Sequence, residues 1–382
     1  MLHRVASLAV LLLWAVLIGP AARAQEPAPA PPPPDPQDTT FSERLDVVEV
    51  LLELTVTDHD GNLVLGLEPD DFVIEENGRQ AEVTGVSFHS YHAFVGDESE
   101  LKALKQRGVE PQAVPEGRHF ILFFHDLRKT DTETRGVLSQ QFRAAHGAQE
   151  WVRTELGPRD QVAVLRYDFS LKLYLDFSSD RQAITEAIDR ALTRRDPGRV
   201  WPSRVKSEGE SLARYLPQGE DIVDATTSTY DALLRIAEAA GHVPGRKSLL
   251  FFSIGTGLLG QAEHALLDSQ YTPTLLETLN ANDVAVYALD LTPPNAEHAL
   301  AGVLQTVADA TGGRYFHHVT EFRKPLRRVS EELQGYYLVS FRSSKPAGER
   351  GYQGVTVYAR DPDLEVQGRK GFIYGRDLPP GP

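Results

Sequence analysis

Apolar and polar residues alternate at the start of the first folded stretch. Val48, Val50, Leu52, Leu54 and Val56 fall on one face at period two, while Glu49, Glu53, Thr55 and Thr57 mostly occupy the other. That is the pattern of a half-buried strand. Asp60-Gly61 predicts a hairpin turn, 63–65 a return strand, 72–75 a further strand, and Asn77-Gly78 a turn into a strand over 82–88. Residues 44–95 therefore read as a small antiparallel β unit.

From residue 117 the period changes. The run R-H-F-I-L-F-F-H-D, Arg118 to Asp126, is nearly continuous in apolar residues and ends on an acid. Such a run suits a fully buried parallel strand, and open α/β sheets gather ligands at the carboxyl ends of those strands. A helix is expected over 132–156, where Leu138, Phe142, Ala145, Val152 and Leu156 recur at helical spacing before Gly157-Pro158. Strands over 161–167 and 171–175 are joined by a turn at 168–170. Ser178-Ser179-Asp180 can cap a helix to about 192, and a second helix over 229–240 ends at Gly241. Strands over 247–253, 284–289 and 314–316 alternate with helices over 271–280, 297–310 and up to 333. The alternation predicts a mostly parallel sheet with helices on its faces across 117–334. The segment 335–375 returns to β character, with strands over 336–341, 354–359 and 369–374. Three strands are marginal alone, so the N- and C-terminal β segments are expected to pair into one sandwich, with the α/β part inserted between them.

The 382 residues leave room for both parts. Ahead of them, His3 and Arg4, an apolar stretch over 8–18 and Ala22-Arg23-Ala24 read as a cleaved secretory signal over 1–24, which puts the mature start at Gln25. Residues 25–43 form a proline-dense linker, extended and semi-rigid. No other run approaches the roughly 18 apolar residues that span a bilayer, so no transmembrane segment is expected in the mature chain. The chain has no cysteine, and export without cysteine points to a bacterial periplasmic or secreted protein. Its formal net charge is −15, and losing Arg4 and Arg23 makes it more acidic, which argues against a nucleic-acid partner.

Several motifs suggest chemistry and fall short of it. Asp58 to Asn62 opens like a calcium loop, but Leu63 stands at the glycine position and Pro69 at the bidentate glutamate position, so a plain turn is expected. Gly255 to Gly260 matches G-x-G-x-x-G after a strand, but the acid ending the next strand, Asp290, lies beyond the usual spacing of about 20 residues. A dinucleotide-binding enzyme is accordingly the weaker alternative. Asp168 and Asp290 end strands and read as structural. His125 with Ser178 and Ser179 lacks a G-x-S-x-G elbow, so no catalytic residue is assigned and no enzyme is expected.

The stretches V-T-D-H-D-G-N-L-V-L-G-L-E-P-D-D-F, F-I-L-F-F-H-D, D-Q-V-A-V-L-R-Y-D-F, T-S-T-Y-D-A-L, A-T-G-G-R-Y-F and G-Y-Y-L-V-S-F, in this order, resemble von Willebrand factor type A domains, in particular the bacterial VWFA-related proteins of acidobacterial type. The resemblance covers nearly the whole mature chain. It implies a Rossmann-like domain that binds proteins through a metal-ion-dependent adhesion site, where D-x-S-x-S, a threonine and a later aspartate hold a divalent ion. On this chain the first motif aligns as Asp126-Leu127-Arg128-Lys129-Thr130, the threonine as Thr227, and the later aspartate as Ile254. Arg128 replaces a hydroxyl ligand with a permanent cation that has no acceptor atom. The resemblance thus implies a degenerate site, with Asp126, Thr130 and Thr227 left as ligands for Mg2+ or Mn2+, and with Arg128 and Thr229 facing the partner. The expected function is adhesive binding of a protein or surface polymer through the loop edge of the α/β domain. A structural envelope module without a discrete ligand is the other alternative.

Overall fold

The computed structural model describes residues 48–91, 102, 105–106, 112–113, 117–125, 134–193, 201–207, 209–255, 264–294, 301–345 and 349–375. Its central sheet has six strands: β6 (His119–His125), β7 (Gln161–Tyr167), β8 (Leu171–Ser178), β9 (Lys247–Ser253), β10 (Val284–Asp290) and β11 (Tyr315–Phe316). The order is β11-β10-β9-β6-β7-β8, all pairs parallel except the β7–β8 hairpin. β6 lies centrally and is buried along its whole length, which is why its sequence shows no polar alternation.

The two faces of β6 feed two cores. Ile121 and Phe123 join one with Leu233, Ile236, Leu279 and Leu304, from α4 (Thr229–Ala240), α5 (His264–Ala281) and α6 (Ala301–Ala310). Phe120, Leu122 and Phe124 join the other with Trp151, Ile188 and Leu326, from α1 (Thr134–Thr154), α2 (Arg181–Thr193) and α7 (Arg323–Glu332). Helices thus cover both faces of a mostly parallel sheet, the expected Rossmann-like class. Phe124 stacks on Phe252 with ring centroids 4.6 Å apart, locking β6 to β9. Trp151 donates its indole N–H to Ser330 Oγ at 2.8 Å, so the largest buried side chain leaves no orphan donor.

The terminal β segments do form one sandwich. β1 (Val48–Thr57) pairs antiparallel with β12 (Gly335–Ser343) in a sheet ordered β14-β1-β12-β4-β5. Here β4 is Val83–Ser90, β5 Gln112–Ala113 and β14 Glu365–Gln367. β13 (Gly351–Ala359) pairs with β2 (Phe72–Glu76) in a sheet ordered β15-β13-β2-β3, with β3 Arg79–Ala81 and β15 Gly371–Tyr374. Leu52, Leu54, Phe72, Ile74, Tyr337 and Phe341 fill the space between the sheets. Asn77 and Gly78 both adopt positive φ, 52° and 71°, as a two-residue type I′ hairpin requires.

Residues 63–65 do not form the expected return strand and make only the isolated bridge Thr57↔Leu63. Val64 N still donates to Val56 O of β1 at 2.9 Å, while the Tyr337 hydroxyl donates to Val64 O at 3.0 Å and accepts from Leu67 N at 3.3 Å. The end of β1 pairs instead with β14, a three-residue strand too short to show a period in the sequence.

Candidate functional site

The carboxyl ends of β6, β7 and β9 bring His125, Tyr167 and Ser253 to one edge of the sheet. His125 is buried, with its ring lying parallel to that of Phe251 and meeting Tyr167 edge-on. Its Nδ1 lies 2.8 Å from Ser253 Oγ and its Nε2 lies 2.9 Å from Thr229 Oγ1. Ser253 Oγ donates to Gly255 O at 2.8 Å and accepts from Gly255 N at 3.0 Å. With that proton committed, the network assigns the imidazole proton to Nδ1, and Nε2 accepts from Thr229. Gln141 Nε2 donates to His125 O at 2.9 Å. One neutral imidazole therefore fastens the end of β9 and the first turn of α4 to the end of β6. Burial holds its pKa down to about 4.

The start of α4 is capped from its own sequence. Ser228 Oγ accepts from Asp231 N at 3.1 Å, and Asp231 Oδ2 accepts from Ser228 N at 3.0 Å, closing a capping box. Asp231 Oδ2 also accepts the Thr227 hydroxyl at 2.8 Å. Thr226, buried one residue earlier, accepts from Leu171 N at 3.0 Å and donates to Ile222 O, which ties the β7–β8 hairpin to the same loop. At the tip of that hairpin Phe169 is 64% exposed, and Val223, on the short helix α3 (Asp221–Ala225), is 43% exposed.

Asp126, Arg128 and Thr130 lie outside the described residues, as do positions 256–260 of the glycine-rich loop. Thr227 is exposed, and its hydroxyl donates to Asp231. Thr229, expected to face a partner, is only 5% exposed and bonded to His125, so it belongs to the loop's anchor and not to its surface. Ile254, at the later aspartate position, is buried and offers no donor atom. A hard divalent ion takes several oxygen ligands. Among the described residues no group of three or more His, Cys, Asp or Glu side chains converges.

The other acids at strand ends are engaged elsewhere. Asp168 pairs with Lys172 at 2.5 Å and with Arg166 at 3.5 Å. Asp290 accepts from Thr292 N at 2.8 Å and from the Tyr315 hydroxyl at 2.7 Å. For His125 the signal was present in the sequence, a polar residue closing an otherwise unbroken apolar strand. Its role depends on partners 104 and 128 residues away.

No family model and no curated protein matches the chain. Among solved structures, the human COPII-coat protein Sec24c is similar over 67% of this chain and 44% of its own, at 12% identity and a TM-score of 0.37. A von Willebrand factor type A structure from Catenulispora acidiphila is similar over 83% of this chain and 73% of its own, at 8% identity and a TM-score of 0.36. The protein BatB from Bacteroides thetaiotaomicron is similar over 57% of this chain and 97% of its own, at 14% identity and a TM-score of 0.33. The chain thus spans less than half the length of Sec24c, and likewise 48% of a proximal thread matrix protein from the mussel byssus.

Proposed function

We infer that the chain is an exported bacterial protein related to von Willebrand factor type A domains, and that its α/β part binds a partner protein through the carboxyl edge of the sheet. The observation that carries this reading is the exposure of Phe169 and Val223 on the two segments that Thr226 ties together. Large apolar side chains on a rigid frame are what buried interface anchors require. The frame is supplied by His125 and Thr226, which fix the hairpin, the β9 end and the α4 start in one arrangement before any partner arrives.

Recognition at this edge is independent of a metal ion. Arg128, a permanent cation three positions after His125 in the sequence, meets an acidic group of the partner. The protein works by binding and not by catalysis. Export is supported by the leader pattern and the absence of cysteine. Among the described residues no helix is long and apolar enough to cross a membrane.

The mature chain, immobilised, is expected to retain a specific protein from an envelope extract of its source cells. Phe169→Ser, Val223→Ser and Arg128→Ala should each weaken retention of that same protein by at least about tenfold, while Tyr358→Ser, on the sandwich, leaves it unchanged. Equal retention by all four variants would remove the edge from consideration.

A further inference from the structure

β11 is the last strand of the central sheet on the side away from the β7–β8 hairpin, and residues 317–322 lead from it into α7. This loop opens with two adjacent histidines, His317 and His318, both exposed beside an open cleft of about 490 Å³. Consecutive side chains of an extended backbone point to opposite sides. Here they converge instead, and Nδ1 of His317 lies 3.0 Å from Nδ1 of His318. The backbone turns at His318, whose φ of 52° falls in the left-handed region that a residue other than glycine seldom enters. The rings meet edge to face with centroids 4.7 Å apart.

The neighbours of the pair hold this turn in place. Val319 is buried in the core with Trp151 and Leu326, and its carbonyl accepts from Gln140 Nε2 at 2.9 Å. The Tyr315 ring packs on that of His317, centroids 5.5 Å apart. Two exposed imidazoles are thus anchored from behind with their Nδ1 atoms facing each other.

That separation is one that a metal ion can bridge. Two nitrogens bound at about 2.0 Å to one ion stand about 2.8 Å apart at a right angle and about 3.3 Å apart at the tetrahedral angle. The observed distance lies between these limits, so an ion can join both atoms with little movement. The present hydrogen bond needs a proton on one Nδ1; with an ion in its place, that ring carries its proton on Nε2, and neither ring changes charge. The surrounding charge permits a cation. Arg314 and Arg328 pair with Glu332 at 2.9 and 3.0 Å, Arg314 also with Glu365 at 3.3 Å, and Lys324 with Glu321 at 3.1 Å. Three cations at the cleft are matched by three carboxylates, and the chain as a whole is acidic.

We propose that His317 and His318 form a two-imidazole site for a divalent transition-metal ion, Cu2+ ahead of Ni2+ and Zn2+. Imidazole nitrogen suits these ions, whereas Mg2+ and Ca2+ prefer oxygen, and among the first-row ions Cu2+ binds a given nitrogen site most tightly. Water completes the shell on the side open to the cleft. The site is distinct from Asp126, Thr130 and Thr227 and does not rest on the partner-binding reading.

The test is titration of the untagged chain from Gln25 with Cu2+ against glycine as a competing ligand, followed by copper visible absorption and electron paramagnetic resonance. One equivalent of Cu2+ should bind with a Kd of about 10 μM or tighter, and Zn2+ at least about tenfold more weakly. The bound Cu2+ should show splitting from coordinated nitrogen. His317→Gln and His318→Asn should each weaken Cu2+ by at least about tenfold while keeping the wild-type melting temperature in EDTA, since asparagine tolerates the left-handed backbone. His59→Gln, which removes another exposed imidazole, should leave the affinity unchanged. No saturable binding of Cu2+, or wild-type affinity in both His317→Gln and His318→Asn, would overturn the proposal.

Discussion

Replacing Asp176 with alanine is expected to lower the unfolding free energy by about 3 to 5 kcal/mol, the range for removing one partner of a buried charged network. Asp176, near the end of β8, is 1% exposed. Its carboxylate accepts from Ser211 Oγ at 2.6 Å, Leu212 N at 2.9 Å, Ala213 N at 3.2 Å and Phe177 N at 3.0 Å. These bonds pin the segment that carries Leu212 and Leu216 over the core on the α4 face of the sheet. Alanine would leave three backbone N–H groups and a hydroxyl buried without an acceptor, each a desolvation cost of about 1 to 3 kcal/mol before relaxation. Asn, which keeps one acceptor oxygen, should fall between alanine and wild type. Denaturant unfolding of the three proteins decides the matter, and a loss below about 1 kcal/mol in Asp176→Ala would mean that the segment is held by its apolar contacts alone.

The second large effect is a dependence on pH. His125 titrates near 6.5 when unfolded, whereas burial holds it down to about 4 in the native state. Between these values the unfolded chain binds a proton that the folded chain does not, so stability rises with pH through this window. The contribution is fully present above pH 6.5 and is lost as pH falls towards 4, a swing of about 3 kcal/mol at 1.36 kcal/mol per pH unit. His125→Gln keeps a donor and an acceptor without the titration. Its stability is expected to fall less than that of the wild type between pH 7 and pH 4, by about 3 kcal/mol. Parallel stability curves for the two proteins would show that His125 is not held neutral by its burial. Because His125 also fastens Thr229 and Ser253, loosening of the binding edge should accompany the acid loss.

Much of the architecture was legible because its causes are local. The unbroken apolar runs of β6, β9 and β10 state their burial on both faces, and the Ser228 and Asp231 pair writes the start of α4 into four consecutive residues. The pairing of β1 with β12, nearly 300 positions apart, followed from the need of each marginal β segment for a partner. What stayed hidden depends on distant neighbours. Residues 63–65 have the composition of a strand, yet their pairing with β1 stops at Val64, whose carbonyl is taken by a tyrosine hydroxyl from β12. Thr229 reads as a loop-edge hydroxyl but is turned inward by a histidine from another strand. Asp176 looks like an ordinary polar position in the β8 pattern, since the four donors it satisfies are not evident from sequence order. Of the adhesion motif that the resemblance implies, Arg128 and Ile254 could be judged from chemistry alone, because a guanidinium and an alkyl chain have no acceptor to offer a metal.

Metal-independent recognition at the carboxyl edge is tested most directly by thermal unfolding of the mature chain, stripped with EDTA and then melted with and without millimolar Mg2+, Mn2+ or Ca2+. An ion bound only by the native state at a hundredfold excess over its Kd would stabilise it by about 2.7 kcal/mol. Equal melting temperatures in all four conditions are the expected result. A rise with one of the ions that disappears in Asp126→Ala would contradict it and restore Asp126, Thr130 and Thr227 as ligands of a working adhesion site.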